Sequence, residues 1–307
     1  MSSNRSRTSS GPRVMLVLKS STWRVYVEEK RDPRLRALLD RRDPTVARLR
    51  GAHDEHEGTV SEVKQTLARL GADVTIVDRE DDTRDTSLFD LVITVGGDGT
   101  MLAASHRIAD TPVLAINSAP SHSVGFFCGA GPGTVERAIA AALRGSLRRA
   151  VLTRMKVTVN GKVVAARVLN DALFCHASPA ATSRYLLRLG DIEEEQKSSG
   201  FWVGPAAGST AAQRSAGGRV LPLSSQQLQL VVREPYTPYG ERYRLRRALI
   251  EPDQKLVVRS KIREAKLFFD GPTNQIDIGF GDVIEMCRSE ESLTLLGIST
   301  RRRWGKR

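Results

Sequence analysis

A glycine-rich turn that carries a single carboxylate is the stretch of the sequence best suited to chemistry. It reads Gly96-Gly97-Asp98-Gly99-Thr100 and follows the apolar run Leu91–Val95, which predicts a buried strand. Met101–Ala109 then predicts a helix. Glycines can take positive φ and let the backbone approach a ligand, and a helix N-terminus favours phosphate. We therefore expect a phosphate-binding turn in which Asp98 holds Mg²⁺ or accepts a proton from an attacking hydroxyl.

The same turn has a simpler interpretation, because Asp is a common turn and N-cap residue. The turn lacks the lysine of the G-x-x-x-x-G-K-[ST] phosphate loop, and it lacks the G-x-G-x-x-G dinucleotide fingerprint. Ordinary nucleotide triphosphatases and ordinary dehydrogenases are therefore not indicated. The remaining interpretation is a phosphate-binding turn that carries a carboxylate where the G-x-x-x-x-G-K-[ST] loop has its lysine.

The composition indicates a globular protein of one or two domains. The chain has 307 residues, 40% of them hydrophobic, and no apolar run approaches the ~18 residues of a membrane helix. Its three cysteines are far apart in sequence, which favours a reducing, cytoplasmic compartment over a disulfide framework or zinc site. The first thirteen residues are acid-free and rich in Ser and Arg, like a transit peptide. Since a strand follows at once, we expect residues 1–12 to form a disordered tail.

The charge is strongly basic. The formal net charge is +12 and the pI is about 10.0, which suits nucleic acid, anionic membranes or polyanionic small substrates. Part of the excess lies in the two tails, and no basic run is interleaved with several aromatic residues. Nucleic acid and membranes are therefore not the partners we expect.

The elements that position the turn alternate between strands and helices. Predicted strands are Val14–Leu18, Val74–Val77 and Pro112–Asn117, and predicted helices are Pro33–Arg41, Pro44–Arg50, Thr59–Leu70 and Gly133–Leu143. This order predicts a doubly wound parallel sheet with helices on both faces, and the turn at the carboxyl end of a strand. His53-Asp54-Glu55-His56 has a metal-like spacing, but no further ligand is near in sequence, which favours a solvated approach to a helix.

Strands dominate the sequence from about Val151. The predicted strands are Met155–Val159, Lys162–Leu169, Arg184–Leu189, Gly200–Val203, Gln227–Val232, Leu256–Arg259, Lys266–Phe269, Asp282–Met286 and Ser292–Leu296. Asn160-Gly161 predicts a hairpin turn. We therefore predict an α/β phosphate-binding domain over 13–148, a mostly antiparallel β domain over 149–286, and a C-terminal segment with a basic tail over 287–307. For this C-terminal segment we consider a return to the first domain as one arrangement.

Four separated motifs together resemble the NAD kinase family. They are the turn at Gly96–Thr100, Leu169-Asn170-Asp171, Gly208-Ser209-Thr210-Ala211 with Ser215-Ala216-Gly217-Gly218, and Phe268-Phe269-Asp270-Gly271. Their order and rough spacing fit the family over residues 90 to 298. Gln196–Gly200 and the loop Asn117–Cys128 resemble the animal mitochondrial branch.

The resemblance implies transfer of the γ-phosphoryl group of ATP to the 2′-hydroxyl of the adenosine ribose of NAD. Asp98 is then the general base, and Gly96, Gly97, Gly99 and Thr100 approach phosphates. Asn170 and Asp171 bind NAD, for which the alternative is an Asx-turn. The implied nucleotide-contacting residues are Ser209, Thr210, Ala211, Ser215, Lys197 and Asp270. Plain turns between strands and a solvated lysine are the alternatives for these.

The implied cofactor and partners follow from the same resemblance. No carboxylate cluster forms a dedicated cage, so we expect Mg²⁺ to arrive with ATP. NAD and ATP are the expected substrates, and a homo-oligomer, either a dimer or a tetramer, is the expected assembly.

Some positions depart from the family pattern. Gly204-Pro205-Ala206-Ala207 replaces the usual threonine-proline-threonine segment, and Ala212 replaces a common tyrosine. These departures support one alternative, a catalytically weak nucleotide-binding module. A lipid kinase of the diacylglycerol or sphingosine type, which shares a related Gly-Gly-Asp-Gly turn and a two-domain plan, is the other alternative. Three arginines alternate along the sequence at Arg242, Arg244 and Arg246, and in a strand they would share one face. That face would bind phosphates, contact the acidic edge of a partner subunit, or lie in solvent.

Overall fold

The structure is a computed structural model that describes residues 11–78, 84–237 and 242–301. Most of the expected N-terminal tail and the basic residues after 301 lie outside the described residues. The chain divides into two compact units. The first unit comprises residues up to Arg149 together with Thr294–Ser299, and Ala150–Leu293 form the body of the second.

The first unit is built on a parallel sheet. Its elements are β1 (Arg13–Leu18), α1 (Pro33–Asp40), α2 (Leu49–Arg69), β2 (Asp73–Asp78), β3 (Leu91–Gly96), α3 (Asp98–Ser105), β4 (Val113–Asn117) and α4 (Val135–Leu143). A π-helical turn covers Trp23–Glu29, and short 3₁₀ turns cover Pro44–Val46 and Thr86–Leu88. The strand order is β2-β1-β3-β4, and every pairing is parallel. The predicted α/β domain class is confirmed.

Burial explains why β3 forms at the centre of this sheet. All six of its residues are buried. Leu91, Ile93 and Val95 pack into a core that also contains Val63 of α2 and Ile139 of α4. Since side chains alternate in a strand, Val92 and Thr94 are buried on the opposite face. Both faces of β3 are thus covered, as expected for a central parallel strand.

Helix α2 begins at Leu49, ten residues before the predicted start at Thr59. The prediction of a solvated approach at His53–His56 is wrong for the two histidines. Only 3% of His56 is exposed, and its Nδ1 lies 2.8 Å from Ser118 Oγ. The buried ring attaches the first turns of α2 to the segment after β4, and this tertiary contact outweighs the low helix propensity of Gly51 and Gly58.

The second unit is β-rich. Its strands are β5 (Arg149–Val159), β6 (Lys162–Val168), β7 (Ala172–His176), β8 (Ser183–Leu189), β9 (Ile192–Ser198), β10 (Phe201–Pro205), β11 (Leu228–Val232), β12 (Arg247–Ile250), β13 (Lys255–Ser260), β14 (Ala265–Phe269), β15 (Asn274–Ile278) and β16 (Val283–Leu296). The six-stranded sheet β12-β11-β10-β7-β14-β15 is antiparallel throughout. Strand β8 forms antiparallel pairs with β13 on one side and β9 on the other, and β13 pairs antiparallel with β16. The predicted mostly antiparallel class is confirmed.

Three predictions for the second half need correction. The sequence patterns missed β7, β9, β12 and β15. The two strands predicted at Asp282–Met286 and Ser292–Leu296 are one continuous strand, β16. Arg242, Arg244 and Arg246 are not in a strand: residues 244–246 form a 3₁₀ turn, because Glu194 accepts the backbone amides of Arg244 and Leu245.

The end of β16 belongs to the first unit. Leu295 pairs in parallel with Val113 of β4, and the amide of Gly297 donates to the carbonyl of Arg148. Gly129 allows this approach, since a Cβ there would lie 2.3 Å from the carbonyl oxygen of Leu296. The C-terminal segment therefore returns to the first domain. Within the described ranges, no helix has the length and apolarity needed to cross a membrane.

Candidate functional site

The glycine turn of the first unit depends on close packing rather than on unusual backbone angles. A Cβ on Gly96 would lie 2.2 Å from Thr100 Oγ1, and one on Gly97 would lie 2.5 Å from Ser123 Oγ. Gly96, Gly97 and Gly99 do not have positive φ, so that part of the expectation is wrong. Thr100 is buried, whereas a Cβ on Gly99 would meet only open space. The turn thus leaves room for a ligand at Gly99.

Asp98 is the first residue of α3, and its carboxylate is held by two backbone amides. Phe126 N donates to Oδ2 over 2.8 Å, and Phe127 N donates to Oδ1 over 2.7 Å. An ionised carboxylate has about four acceptor positions, so two stay available for a ligand hydroxyl. Asp98 is therefore fixed in orientation and still able to accept a hydrogen bond.

The loop that supplies these amides is itself braced by Asn117 at the end of β4. Asn117 Nδ2 donates to the carbonyl of Ser123 over 2.9 Å. Gly125 has a φ of 59°, and a Cβ there would lie 2.4 Å from Asn117 Nδ2. Only glycine fits this position, and the resulting turn aims the next two amides at Asp98.

In the second unit, Asp270 organises the Asn170-Asp171 motif. Its Oδ2 accepts from Leu169 N at 2.8 Å, and its Oδ1 accepts from Asn170 N at 2.6 Å and Asp171 N at 3.0 Å. Asp270 itself adopts a φ of 50°, which Asp tolerates better than most residues. The structure thus joins two predicted site motifs separated by about a hundred residues in sequence.

Burial changes the chemistry of this cluster. Asp171 is only 6% exposed, and burial, reinforced by the charge of Asp270, raises the pKa of Asp171 to about 7. The buried Oδ1 of Asn170 has no hydrogen-bond partner within the described residues. An unpaired buried acceptor is costly, and it is commonly explained by a ligand or water that completes it.

The Gly208–Ala211 segment packs against the same motif. A Cβ on Gly208 would lie 1.7 Å from the carbonyl oxygen of Asn170, and one on Gly204 would lie 2.1 Å from it. The buried Gln213 donates to that oxygen over 3.2 Å. Gly204 is one of the departures from the family pattern. A side chain does not fit there, because the backbone of Asn170 lies too close.

The other residues of the third motif fall into two groups. Ser209 is fully buried, donates to the carbonyl of Ala206 and accepts from Leu221 N, so its hydroxyl supports the turn. Thr210 and Ala211 are partly exposed and Ser215 is exposed, so these three are accessible to a ligand. Lys197 lies on β9, and its backbone bonds run to the amide of Tyr236 and the hydroxyl of Tyr243.

Sequence reasoning missed several residues that build the two sites. The backbone amides of Phe126 and Phe127 do not depend on the type of side chain. They therefore leave no signal in the amino-acid sequence. Gln213 and Gln229 are both buried and bond side chain to side chain over 3.0 Å, and the sequence patterns did not single them out. The sequence signal that could have indicated the amides of Phe126 and Phe127 was Gly125, which precedes them in a turn-rich loop.

A glycine turn at a strand's carboxyl end, a helix N-terminus and a fixed carboxylate place this protein in the class of α/β proteins with a candidate phosphate-binding site. Comparison with known proteins gives the particular family. The family model described as the ATP-NAD kinase N-terminal domain matches residues 4–146. A probable NADH kinase from Oryza sativa subsp. japonica is 36% identical over 253 residues, covering 75% of this chain and 78% of the relative. The chain belongs to the NAD kinase family.

Two further comparisons extend this result. The mitochondrial NAD kinase 2 of Xenopus tropicalis is 32% identical over 124 residues, which cover 38% of this chain and 29% of that protein. The crystal structure of an NAD kinase from Archaeoglobus fulgidus in complex with ATP superposes with a TM-score of 0.68 at 20% identity, covering 94% of this chain and 95% of that one. The latter confirms the fold. The lipid-kinase alternative loses its basis.

Proposed function

We propose that this enzyme transfers the γ-phosphoryl group of ATP to the 2′-hydroxyl of the adenosine ribose of NAD, giving NADP and ADP. The observation that carries the proposal is the carboxylate of Asp98, fixed by the amides of Phe126 and Phe127 at the N-terminus of α3. The sequence relatives named above are NAD and NADH kinases, which agrees with these substrates.

The reaction is mainly a matter of positioning and charge neutralisation. The ribose 2′-oxygen attacks the γ-phosphorus, the bond from that phosphorus to the β–γ bridging oxygen breaks, and ADP leaves with that oxygen. Asp98 accepts the proton of the hydroxyl and later returns it to water. The amides at Gly97 and Gly99 face the phosphates, and Asn170, Asp171 and Thr210 bind the NAD moiety.

Mg²⁺ is the cofactor we propose, bound mainly by the phosphates of ATP. Within the described residues, His, Cys, Asp and Glu side chains do not group in threes that could form a metal cage. Mg²⁺ does not need such a cage, because it usually keeps several waters and takes one or two carboxylates along with substrate phosphates. When bound, the ion would neutralise charge on the transferred phosphoryl group.

NADH is a second acceptor that we propose, because the rice relative is named a probable NADH kinase. We also propose a cytoplasmic homo-oligomer, either a dimer or a tetramer. The resemblance to the family supports the assembly, and the absence of cysteine pairing supports a reducing compartment. Light scattering of the purified chain and localisation of the tagged chain test these two points.

The central experiment incubates the purified protein with ATP, Mg²⁺ and either NAD or NADH, and measures NADP or NADPH. We expect turnover, and we expect Asp98→Asn to lower kcat by about 10²-fold or more, as for loss of a general base. Robust turnover by Asp98→Asn would contradict the role of Asp98. Phosphorylation of diacylglycerol or a sphingoid base with NAD untouched, or nucleotide binding without turnover, would contradict the proposed activity.

A further inference from the structure

Two glutamines that are hydrogen-bonded to each other are buried in the second unit, and we call them the glutamine pair. Gln213 is fully buried, in the short helix Ala212–Ser215 that follows the Gly208–Ala211 segment. Gln229 is only 2% exposed and lies on β11. A buried amide side chain is costly unless its donors and its acceptor are hydrogen-bonded. The glutamine pair therefore needs a specific set of partners.

The hydrogen bonds of the glutamine pair run in one direction. At one end the backbone amide of Arg219 donates to Gln229 Oε1 over 2.6 Å. Gln229 Nε2 donates to Gln213 Oε1 over 3.0 Å, and Gln213 Nε2 donates to the carbonyl of Asn170 over 3.2 Å. Because a backbone amide only donates and a backbone carbonyl only accepts, the two ends fix which way both side-chain amides face. The glutamine pair thus links Arg219 to Asn170 in a single arrangement.

The loop before β11 folds onto the glutamine pair. The carbonyl of Arg219 accepts from Gln229 Nε2 at 3.1 Å, and the amide of Gly218 donates to the backbone carbonyl of Gln213 over 2.8 Å. A Cβ on Gly218 would lie 2.7 Å from that carbonyl oxygen and 2.9 Å from Gln229 Nε2. Any larger residue would displace one of the two glutamines. Close packing against the glutamine pair therefore explains Gly218, which belongs to the third motif.

Asn170, at the other end, carries a side-chain oxygen that a ligand could use. Its buried Oδ1 has no hydrogen-bond partner in the part of the chain that the structure describes. Its backbone is held on both sides, the carbonyl by Gln213 and the amide by Asp270 over 2.6 Å. Since hydrogen bonds form only over a narrow range of distance and angle, the position of this backbone decides what Oδ1 can reach. Holding the carbonyl of Asn170 is therefore a means of aiming its side chain.

We propose that the glutamine pair positions Asn170 for NAD. Gln213 fixes the carbonyl of Asn170, and Gln229 fixes the side-chain amide of Gln213, so the side chain of Asn170 is aimed before the ligand arrives. The identity of that ligand rests on the proposed function. A site that is ordered in advance does not pay for ordering when the ligand binds, so its affinity is higher. Both glutamines are buried and act through Asn170, which makes them positioning residues.

Steady-state kinetics of variants with similar side-chain length gives the first test. Gln213→Met removes the donor to the carbonyl of Asn170, and Gln229→Met breaks the chain of hydrogen bonds one step earlier. We expect each to raise KM for NAD about tenfold, as for a buried polar group left unpaired. KM for ATP and kcat should stay within twofold, which is the pattern of a lost binding interaction. Because the two glutamines act in series, the double variant should be no worse than about the worse single variant.

Gln196→Met is the matched control. Gln196 is also fully buried in the second unit, and its Nε2 donates to a backbone carbonyl, that of Leu245, over 3.3 Å. Urea denaturation should show a loss of stability in this variant like that in the other two, yet its KM for NAD should stay within twofold. An equal rise in KM for NAD in Gln196→Met would show a general effect of destabilisation and would overturn the proposal. When the unchanged protein makes NADP, an unaltered KM for NAD in Gln213→Met and Gln229→Met would also overturn it.

Nuclear magnetic resonance of the full chain without ligand separates this inference from the proposed function. We expect the side-chain NH₂ signal of Asn170 to shift in Gln213→Met and in Gln229→Met and to stay in place in Gln196→Met. If those shifts occur but the unchanged protein makes no NADP, the proposed function fails and the positioning of Asn170 by the glutamine pair stands. An Asn170 signal that stays in place in both variants overturns the positioning role, whether or not NADP is formed.

Discussion

The backbone amide of Phe127 donates a hydrogen bond to Asp98 Oδ1 over 2.7 Å, across twenty-nine residues of sequence. Its neighbour Phe126 does the same for Oδ2. The carboxylate is thereby held by backbone, which cannot change rotamer, and it is oriented before any substrate arrives. Such preorganisation is what positions a base for a hydroxyl.

Replacing Asp98 should loosen the loop as well as remove the proposed general base. In Asp98→Asn one carboxylate oxygen becomes an NH₂ group, which cannot accept a hydrogen bond from a backbone amide. We expect amide hydrogen exchange at Phe126 and Phe127 to accelerate about tenfold, while exchange in β3 is unchanged. Exchange measured by mass spectrometry or nuclear magnetic resonance checks this. Unaltered protection at both amides would show that the loop does not depend on Asp98.

Alanine substitutions in the glycine turn should separate packing from ligand access. Gly96→Ala places a Cβ 2.2 Å from Thr100 Oγ1, so we expect a loss of about 1–3 kcal/mol in the free energy of unfolding. Gly99→Ala meets open space in the first turn of α3 and should leave the melting temperature unchanged or higher. It should nevertheless lower NADP formation, since the new Cβ occupies the space offered to phosphate. Thermal unfolding and activity are measured on both variants; equal stability of the two would contradict the packing argument.

Asp270 should be a stability residue of the second unit. Asp270→Ala leaves three backbone amides without their acceptor, and we expect a loss of about 2–3 kcal/mol in the free energy of unfolding. Asp270→Asn keeps one acceptor oxygen and tolerates the positive φ, so it should lose less. Urea denaturation of the three proteins gives the ranking. An Asn variant as unstable as the Ala variant would mean that the hydrogen bonds are not what matters.

Asp171 should make stability depend on pH. The ordinary pKa of 3.8 applies in the unfolded chain, whereas burial and the charge of Asp270 raise it to about 7 in the folded protein. Between these values the folded state binds a proton that the unfolded state has lost. The contribution of Asp171 to the free energy of unfolding is therefore fully present below pH 3.8, and it is lost as the pH rises towards about 7. Denaturation across this range should show a falling free energy of unfolding that Asp171→Asn removes; parallel curves would refute the assignment.

The parallel sheet could be predicted because its signals are local. Leu91–Val95 is an uninterrupted apolar run, and β3 buries all of it. The start of α2 could not be predicted, because Gly51 and Gly58 weaken the helical pattern. What stabilises those turns is the contact between His56 and Ser118, sixty-two residues away.

The missed strands have the same kind of cause. Strand β9 contains Glu193, Glu194 and Glu195, which predict a poor strand on propensity alone. In the structure Glu193 lies opposite Arg188 of β8, so cross-strand charge pairing compensates. For the candidate site, residue types revealed Asp98, Asn170 and Asp270, whereas their backbone partners carry no signal in the sequence.

The late position of Leu295 also governs how the chain folds as it is made. A ribosome delivers β1 to β4 long before residue 295 appears, and domains generally fold as units during synthesis. Until then Val113 of β4 lacks its parallel neighbour Leu295, and that open edge is a template for pairing with other chains. Synthesis therefore passes through a stage in which the first unit is present without the end of β16 and is vulnerable to aggregation, and chaperone demand should be greatest there.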